Sequence, residues 1–125
     1  NFCPVYRSEE KMLEGKNKLL SLLNDFKNIK INDQSLIWNT EVIEALELKN
    51  LLSQAIVSVD SALNRKESRG AHSRIDYSKR DDKKWLKHSL IWVNKEGKTE
   101  TRFRKVNLQT NSKEIKTIEP KARVY

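Results

Sequence analysis

The stretch from Glu41 to Arg65, EVIEALELKNLLSQAIVSVDSALNR, carries the clearest periodic signal in the chain and decides its fold. Ala45, Leu48, Leu52, Ala55, Val59 and Ala62 step by three, four, three, four and three residues, the seam of helices packed at a shallow angle. Asn39 is a suitable cap, because its side-chain oxygen can accept a free N–H of the first turn. A helix from Asn39 to about Arg65 is about 40 Å long at 1.5 Å per residue. Leu46, Leu51, Ile56 and Leu63 fall outside the seam, so the apolar surface is wider than one short helix can cover. A third helix is implied, and the chain has room for it only upstream of Asn1.

Working outward, Ser8 followed by Glu9 and Glu10 is a helix start, with acids placed at the positive end of the helix dipole. Met12, Leu19, Leu23 and Phe26, widened by Leu13 and Leu20, make one amphipathic helix from Ser8 to Lys27. The segment NIKINDQSLIW has no helical period and reads as a crossing loop. After Gly70 the character changes. KHSLIWV alternates as a strand does, NKEG is a turn with glycine at its end, and KTETRFRKV is a returning strand, so a β-hairpin is predicted. NLQTNSKEIKTIEPKARVY reads as an extended tail, kept from helix by β-branched residues and Pro120. The expected fold class is α+β, mainly α: an antiparallel long-helix bundle with its first helix missing or truncated, then a β-hairpin and an extended C-terminal tail. Residues 1–77 form the helical part in this reading and 78–125 the hairpin and tail.

A chain of 125 residues with 37% hydrophobic and 34% charged content suits one small domain with a thin core. Its net charge of +8 would attract nucleic acid or an anionic membrane surface, but the basic residues are mostly lysines scattered among acids. A solvated, lysine-rich surface is therefore preferred to a nucleic-acid site. Trp38, Trp85 and Trp92 sit beside Leu, Ile and Val, which points to core or interface and not to base stacking. Cys3 is the single cysteine, which excludes an internal disulfide, and with only His72 and His88 beside it no zinc pattern can be drawn. No apolar run reaches the roughly 20 residues needed to span a bilayer. The opening NFCPVYRSEE has no Met and looks like the continuation of an earlier element, so the chain is read as a C-terminal piece of something longer.

Glu67 to Asp82, ESRGAHSRIDYSKRDD, packs one histidine, three arginines, a lysine and four carboxylates into sixteen positions. Such residues suit acid–base work or anion binding, and they equally make the ion-pair networks that tie off a helix end. No nucleophile, base and orienting group stand at a defensible spacing, and the lone Gly70 cannot cradle a phosphate. Gly70 is placed where a helix end wants a left-handed residue, with Lys66, Arg69 and His72 near the negative end of the dipole. Asp76, Asp81 and Asp82 are expected to pair with Arg69, Arg74 or Arg80. Structural wiring is thus favoured over a ligand site, for His88 as well as for the motif, and Lys121 and Arg123 in the tail read as a solvated end before an anion contact. Glu67, Arg69, Gly70, His72, Arg74, Asp76, Arg80, Asp81 and Asp82 make up the candidate structural and interface motif; no catalytic, cofactor-binding or metal-ligating residue is assigned.

SLIWNTEVIEALELKNLLSQAIVSVDSALNRKESRGAHSRIDYSKRDDKKWLKHSLIW, followed by IEPKARVY, strongly resembles the C-terminal region of the succinate dehydrogenase flavoprotein family, whose relatives include quinol-fumarate reductase and L-aspartate oxidase. The most specific elements are ESRGAHSR, RDDKKWLKHSL and PKARVY in that order. Where this chain has Ile75, Ser78 and Lys83 to Lys84, the family commonly shows an acid, a proline and acidic or amide residues. The resemblance implies a spectrin-repeat-like helical bundle and a tail that folds back over a flavin domain. It also implies that the full subunit oxidises succinate to fumarate through FAD and passes electrons by an iron-sulfur subunit and membrane anchor subunits to quinone. The place would be the cytoplasmic face of a bacterial inner membrane, or the matrix side if mitochondrial. The family's flavin-attaching, dinucleotide-binding and substrate-holding residues lie in flavin and capping domains upstream, so this fragment is expected to bind no FAD and to be inactive alone. Its exposed seam is expected to be able to recruit a second copy as a homodimer.

Overall fold

The computed structural model describes residues 3–112 and 114–121. Two helices dominate it. Helix α1 spans Glu9–Asp25, with Ser8 at its N-cap and Glu9 and Glu10 in its first turn, and a short 3-10 turn, Phe26–Asn28, ends it. Helix α2 spans Thr40–Asn64, with the Asn39 side chain accepting the Val42 N–H at 3.0 Å. Between them the predicted crossing loop is knitted by Glu41, whose carboxylate accepts the backbone N–H groups of Asn32 and Asp33.

The helices run antiparallel, because Met12 near the start of α1 packs with Val59, Ala62 and Leu63 at the end of α2. Buried Leu52 and Ile56 extend that stripe, so the seam is Leu52, Ile56, Val59, Ala62 and Leu63. The expected seam is corrected in two ways. Ile56 and Leu63 belong to it, and Leu48 does not, being 41% exposed. The reason is length: α1 has 17 residues against 25 in α2, and its far end reaches only the middle of the longer helix.

Two pieces of sheet complete the fold. Strands β3, Lys87–Val93, and β4, Thr99–Lys105, pair antiparallel in the register Lys87↔Lys105 through Val93↔Thr99, as the alternation predicted. Their turn closes on Gly97, at φ +80°, where an added Cβ would lie 2.7 Å from a Leu20 methyl and 2.9 Å from a Leu23 methyl of α1. Glycine is therefore needed there twice over, for the backbone conformation and for the close approach to α1. One face of the hairpin lies on α2, where Thr99 donates to Asp60 at 2.6 Å and Asn64 donates to Thr101 at 3.0 Å. The second sheet was not foreseen: β1, Tyr6–Arg7, pairs parallel with β2, Ser73–Arg74. Two-residue strands carry no detectable period, so only the tertiary structure reveals them.

Of the three tryptophans, Trp85 is buried with its ring edge-on to Phe103, Trp92 lies half-exposed under Arg102, and Trp38 is 90% exposed at a positive φ of 56°. The tail after β4 has no regular element among the described residues. Arg123 and most of the PKARVY ending lie outside the described residues.

Candidate functional site: a junction of buried charge

The segment after α2 is built around two ionic side chains with no exposed surface, Glu67 and Arg74. Burying either alone would carry a large desolvation cost, so their partners decide whether the site can exist. Arg74 has a partner for each of its N–H groups. Its guanidinium grips Asp76 in a bidentate pair at 2.7 and 2.6 Å and reaches Glu9 at 3.3 Å. It also donates to the carbonyls of Ala62 and Leu63 at 3.1 and 3.2 Å. Those carbonyls belong to the last turn of α2, which has no following N–H groups to accept. The arginine therefore caps the long helix, and the Tyr77 ring lies 5.0 Å from its guanidinium carbon.

Asp76 faces two ways, accepting from Arg74 and also from the Glu9 N–H at 3.0 Å at the start of α1. One carboxylate thus ties the beginning of α1 to the end of α2. The Arg74 hydrogen bonds hold the Asp76 carboxyl down at about 2. Ser68 secures the same turn, accepting the Arg74 N–H at 2.8 Å and donating to the Tyr77 carbonyl at 2.8 Å.

Glu67 is the second centre. It accepts from Arg65 at 2.5 Å, from Arg69 at 2.8 and 3.1 Å, and from the Asp81 N–H at 2.9 Å. Burial alone would raise its pKa, but the Arg69, Asp81 and Arg65 hydrogen bonds outweigh it and the carboxyl sits below its ordinary value. Arg69 continues to Asp82 Oδ1 at 2.6 Å, and Arg80 donates to the same oxygen at 2.9 Å and to Oδ2 at 2.8 Å while reaching the Lys121 carbonyl at 2.6 Å. Asp81 takes another role, capping the short helix α3, Asp82–Trp85, through the Lys84 N–H at 3.0 Å.

His72 lies between Arg7 and the end of α2, with Nδ1 2.9 Å from Arg7 and Nε2 3.0 Å from the Arg65 carbonyl. A guanidinium can only donate and a carbonyl can only accept, so the ring carries its proton on Nε2 and accepts at Nδ1. Burial, together with the charges of Arg7, Arg74 and Arg65, lowers its pKa. A neutral ring with both nitrogens engaged has no free group for proton transfer.

Gly70 has the left-handed conformation expected of it, φ +56°, but for a different reason. The helix ends at Asn64, and Gly70 lies in a tight turn closed by reciprocal backbone bonds between Arg69 and His72 at 2.8 and 3.0 Å. Positive φ at the first central residue of a two-residue turn is the II′ pattern, which favours glycine there. The helix end itself is capped by Arg74, which a sequence pattern cannot show because its carbonyl partners lie eleven and twelve residues away.

Several participants lie outside the motif. Arg7 and Glu9 come from the start of the chain, about sixty-five positions from their partners His72 and Arg74. Arg65 links three elements, adding the carbonyls of Trp85 and Lys87 at 3.0 and 2.5 Å to its Glu67 bond. Asp60, buried on α2, binds Lys16 and Thr99. Only Asp60 left a signal in sequence, as a carboxylate on the apolar face between Ile56 and Leu63.

The chemistry available here is that of a closed network. Among the described residues no buried side-chain nitrogen or oxygen lacks a partner, and no cluster of three His, Cys, Asp or Glu that could hold a metal exists. Gly97 is filled by Leu20 and Leu23 and admits no ligand to its backbone, and Gly70 stands in an open turn without the neighbouring glycines of a dinucleotide-binding loop. No helix among them is long and apolar enough to cross a membrane.

The family model described as fumarate reductase flavoprotein C-term matches residues 1–125. A succinate dehydrogenase flavoprotein subunit from Rickettsia bellii is 50% identical over 121 residues, 97% of this chain and 20% of that protein. The mitochondrial succinate dehydrogenase [ubiquinone] flavoprotein subunit of Oryza sativa is 44% identical over the whole chain, again 20% of its own length. Among solved structures, E. coli quinol fumarate reductase superposes with a TM-score of 0.81 at 34% identity, over 94% of this chain and 21% of that one. The chain thus spans about a fifth of the length of these relatives, and it belongs to the C-terminal family of the succinate dehydrogenase and fumarate reductase flavoproteins.

Proposed function

We propose that this chain is the C-terminal structural domain of a succinate dehydrogenase flavoprotein subunit, whose full length oxidises succinate to fumarate and delivers electrons through FAD and iron-sulfur centres to quinone. The observation that carries the domain's role is the closed network: Glu67 and Arg74 are fully buried and fully partnered, so the motif serves rigidity and leaves no group free for chemistry. Residues 1–77 form the helical part and 78–125 the hairpin and tail, which pack on the helices and on the flavin domain. The subunit's partners in this reading are an iron-sulfur subunit and membrane anchors, at the cytoplasmic face of a bacterial inner membrane or its mitochondrial equivalent. The apolar residues left open on α2, from Val42 to Leu51, suit the remaining helix of the bundle, or a second copy of the chain in its absence.

Fumarate reduction is the alternative direction for the same domain, since a fumarate reductase flavoprotein subunit from Haemophilus influenzae is 37% identical over 93% of this chain. A nucleic-acid role is disfavoured by charge pairing: Arg65, Arg69, Arg74, Arg80 and Arg102 each hold a carboxylate and are not free for phosphates. The test is Arg69→Ala in the full subunit. A bracing role predicts a lower melting temperature and less bound flavin at an unchanged KM for succinate; a raised KM in a subunit of normal melting temperature and flavin content overturns it.

A further inference from the structure

The hairpin carries most of the chain's net charge. Eight cations and two carboxylates lie between Lys83 and Lys105, so six of the eight net positive charges fall on this stretch. The strand register gathers part of that charge on one strand. Glu100, Arg102 and Arg104 of β4 share the outer face with their partners Trp92, Leu90 and His88, while Thr99 and Thr101 face α2. Arg102 and Arg104 stand two positions apart on that face, about 7 Å along the strand. Lys105 is set directly opposite Lys87, and like charges in that position are unfavourable. Arg104 and Lys105 hold no carboxylate among the described residues. Arg102 holds only Glu100, in a pair whose side chains are 69% and 60% exposed, and such pairs are weak.

The same strand has an open edge. Asn94 donates to the Lys98 carbonyl at 3.0 Å, which closes the turn and sets the alternation of the ladder. Thr99, Thr101, Phe103 and Lys105 therefore direct their N–H and C=O groups away from β3. No other strand or side chain among the described residues bonds to them, whereas on the opposite edge Arg65 covers the Lys87 carbonyl. Such an edge is a template for a further strand. A second copy is a poor occupant, because pairing β4 with itself in register sets arginine against arginine. A nucleic acid leaves the backbone groups of the edge unmatched. We propose that β4 takes up an extended, acidic segment of a partner protein as a third strand. Acids at alternate positions of that segment lie beside Arg102 and Arg104 on the outer face. The apolar residue between them lies beside Phe103, itself 45% exposed, on the other face.

The experiment is fluorescence anisotropy of a labelled, end-blocked hexapeptide, Thr-Glu-Val-Glu-Val-Thr, titrated with the full-length subunit. Saturable one-to-one binding is expected, with amide hydrogen exchange slowed over residues 99–105 and unchanged in α1. R102E/R104E alters only exposed side chains and is expected to weaken binding about tenfold or more at an unchanged melting temperature. The same peptide methylated on both valine nitrogens keeps its charge but cannot join the ladder, and it is expected not to bind. Absence of saturable binding to the full-length subunit overturns the proposal, including the case in which another part of the subunit already fills the edge. Unchanged affinity in R102E/R104E overturns it, as does equal affinity for the methylated peptide or for Thr-Lys-Val-Lys-Val-Thr. Equal affinity for a six-nucleotide thymidine oligomer also overturns it, because that describes attraction by charge alone and not strand addition.

Discussion

From Leu52 to Leu63, α2 buries five apolar side chains against α1 and the hairpin; from Val42 to Leu51, the same helix leaves five apolar residues between 39% and 64% exposed. The apolar share hardly changes between the halves, although the N-terminal one carries Glu44, Glu47 and Lys49 where the C-terminal one has only Asp60. What changes is the neighbour. The C-terminal half lies beside α1 and ends on Arg74, while the N-terminal half projects past the end of α1. Amphipathic pattern therefore states which residues can be buried, and the partner element decides which ones are.

The sharpest way to break this contrast is to remove the cap. Arg74→Ala strips partners from Asp76, Glu9 and two α2 carbonyls at once. A loss of about 3–5 kcal/mol is expected, measured by denaturant unfolding. The pair also has a pH signature. Asp76 is depressed in the fold, so its contribution is fully present above its ordinary value of 3.8 and disappears as pH falls toward about 2. His72 acts in the same sense at higher pH. Its lowered pKa means that the unfolded chain takes the proton first, so stability declines as pH drops below 6.5. Arg74→Ala is expected to flatten the limb below pH 4 in a melting-temperature profile and to shrink the His72 limb only in part, because burial, the first cause of that shift, and the Arg7 and Arg65 charges remain.

Next comes the apolar half. Ile56, fully buried between α1 and the hairpin turn, is expected to cost about 3 kcal/mol on Ile56→Ala, with calorimetry as the measure. Gly97→Ala tests the hairpin's approach to α1. A positive φ and two leucine methyls closer than 3.0 Å predict a loss of about 1–2 kcal/mol. The smallest effect belongs to the exposed half. Leu46→Ala is expected to change the chain's own stability by less than about 0.5 kcal/mol. In the full subunit the same change is expected to cost about 2 kcal/mol or more if a further helix covers Leu46. Equal small effects in both settings would show that this half of the helix stays open.

Legibility in the sequence followed the range of the interactions. The N-caps of both helices, the two hairpin strands and the NKEG turn rest on residues within a few positions of one another, and each was readable. The motif from Glu67 to Asp82 was also visible as a concentration of charge. Its wiring was not, because part of it is non-local: Arg7 reaches His72, Glu9 meets Arg74 and Asp76, and Arg80 reaches the Lys121 carbonyl. Ion pairing has no period, so four carboxylates and three arginines in one segment permit many pairings that sequence cannot rank. Asp81 illustrates the point, since it sits beside Arg80 and yet caps α3, leaving Asp82 to Arg69 and Arg80.

By itself the sequence determined two amphipathic helices, a two-stranded hairpin and a charged link between them, because helical and strand periods are written in the order of side chains. Only the tertiary structure decided which half of α2 is covered, that Arg74 and not Gly70 closes its end, and that Glu67 lies in the interior. The physical reason is desolvation. A buried carboxylate or guanidinium is tolerated only when every lone pair and N–H finds a partner, and those partners arrive from distant parts of the chain when it folds.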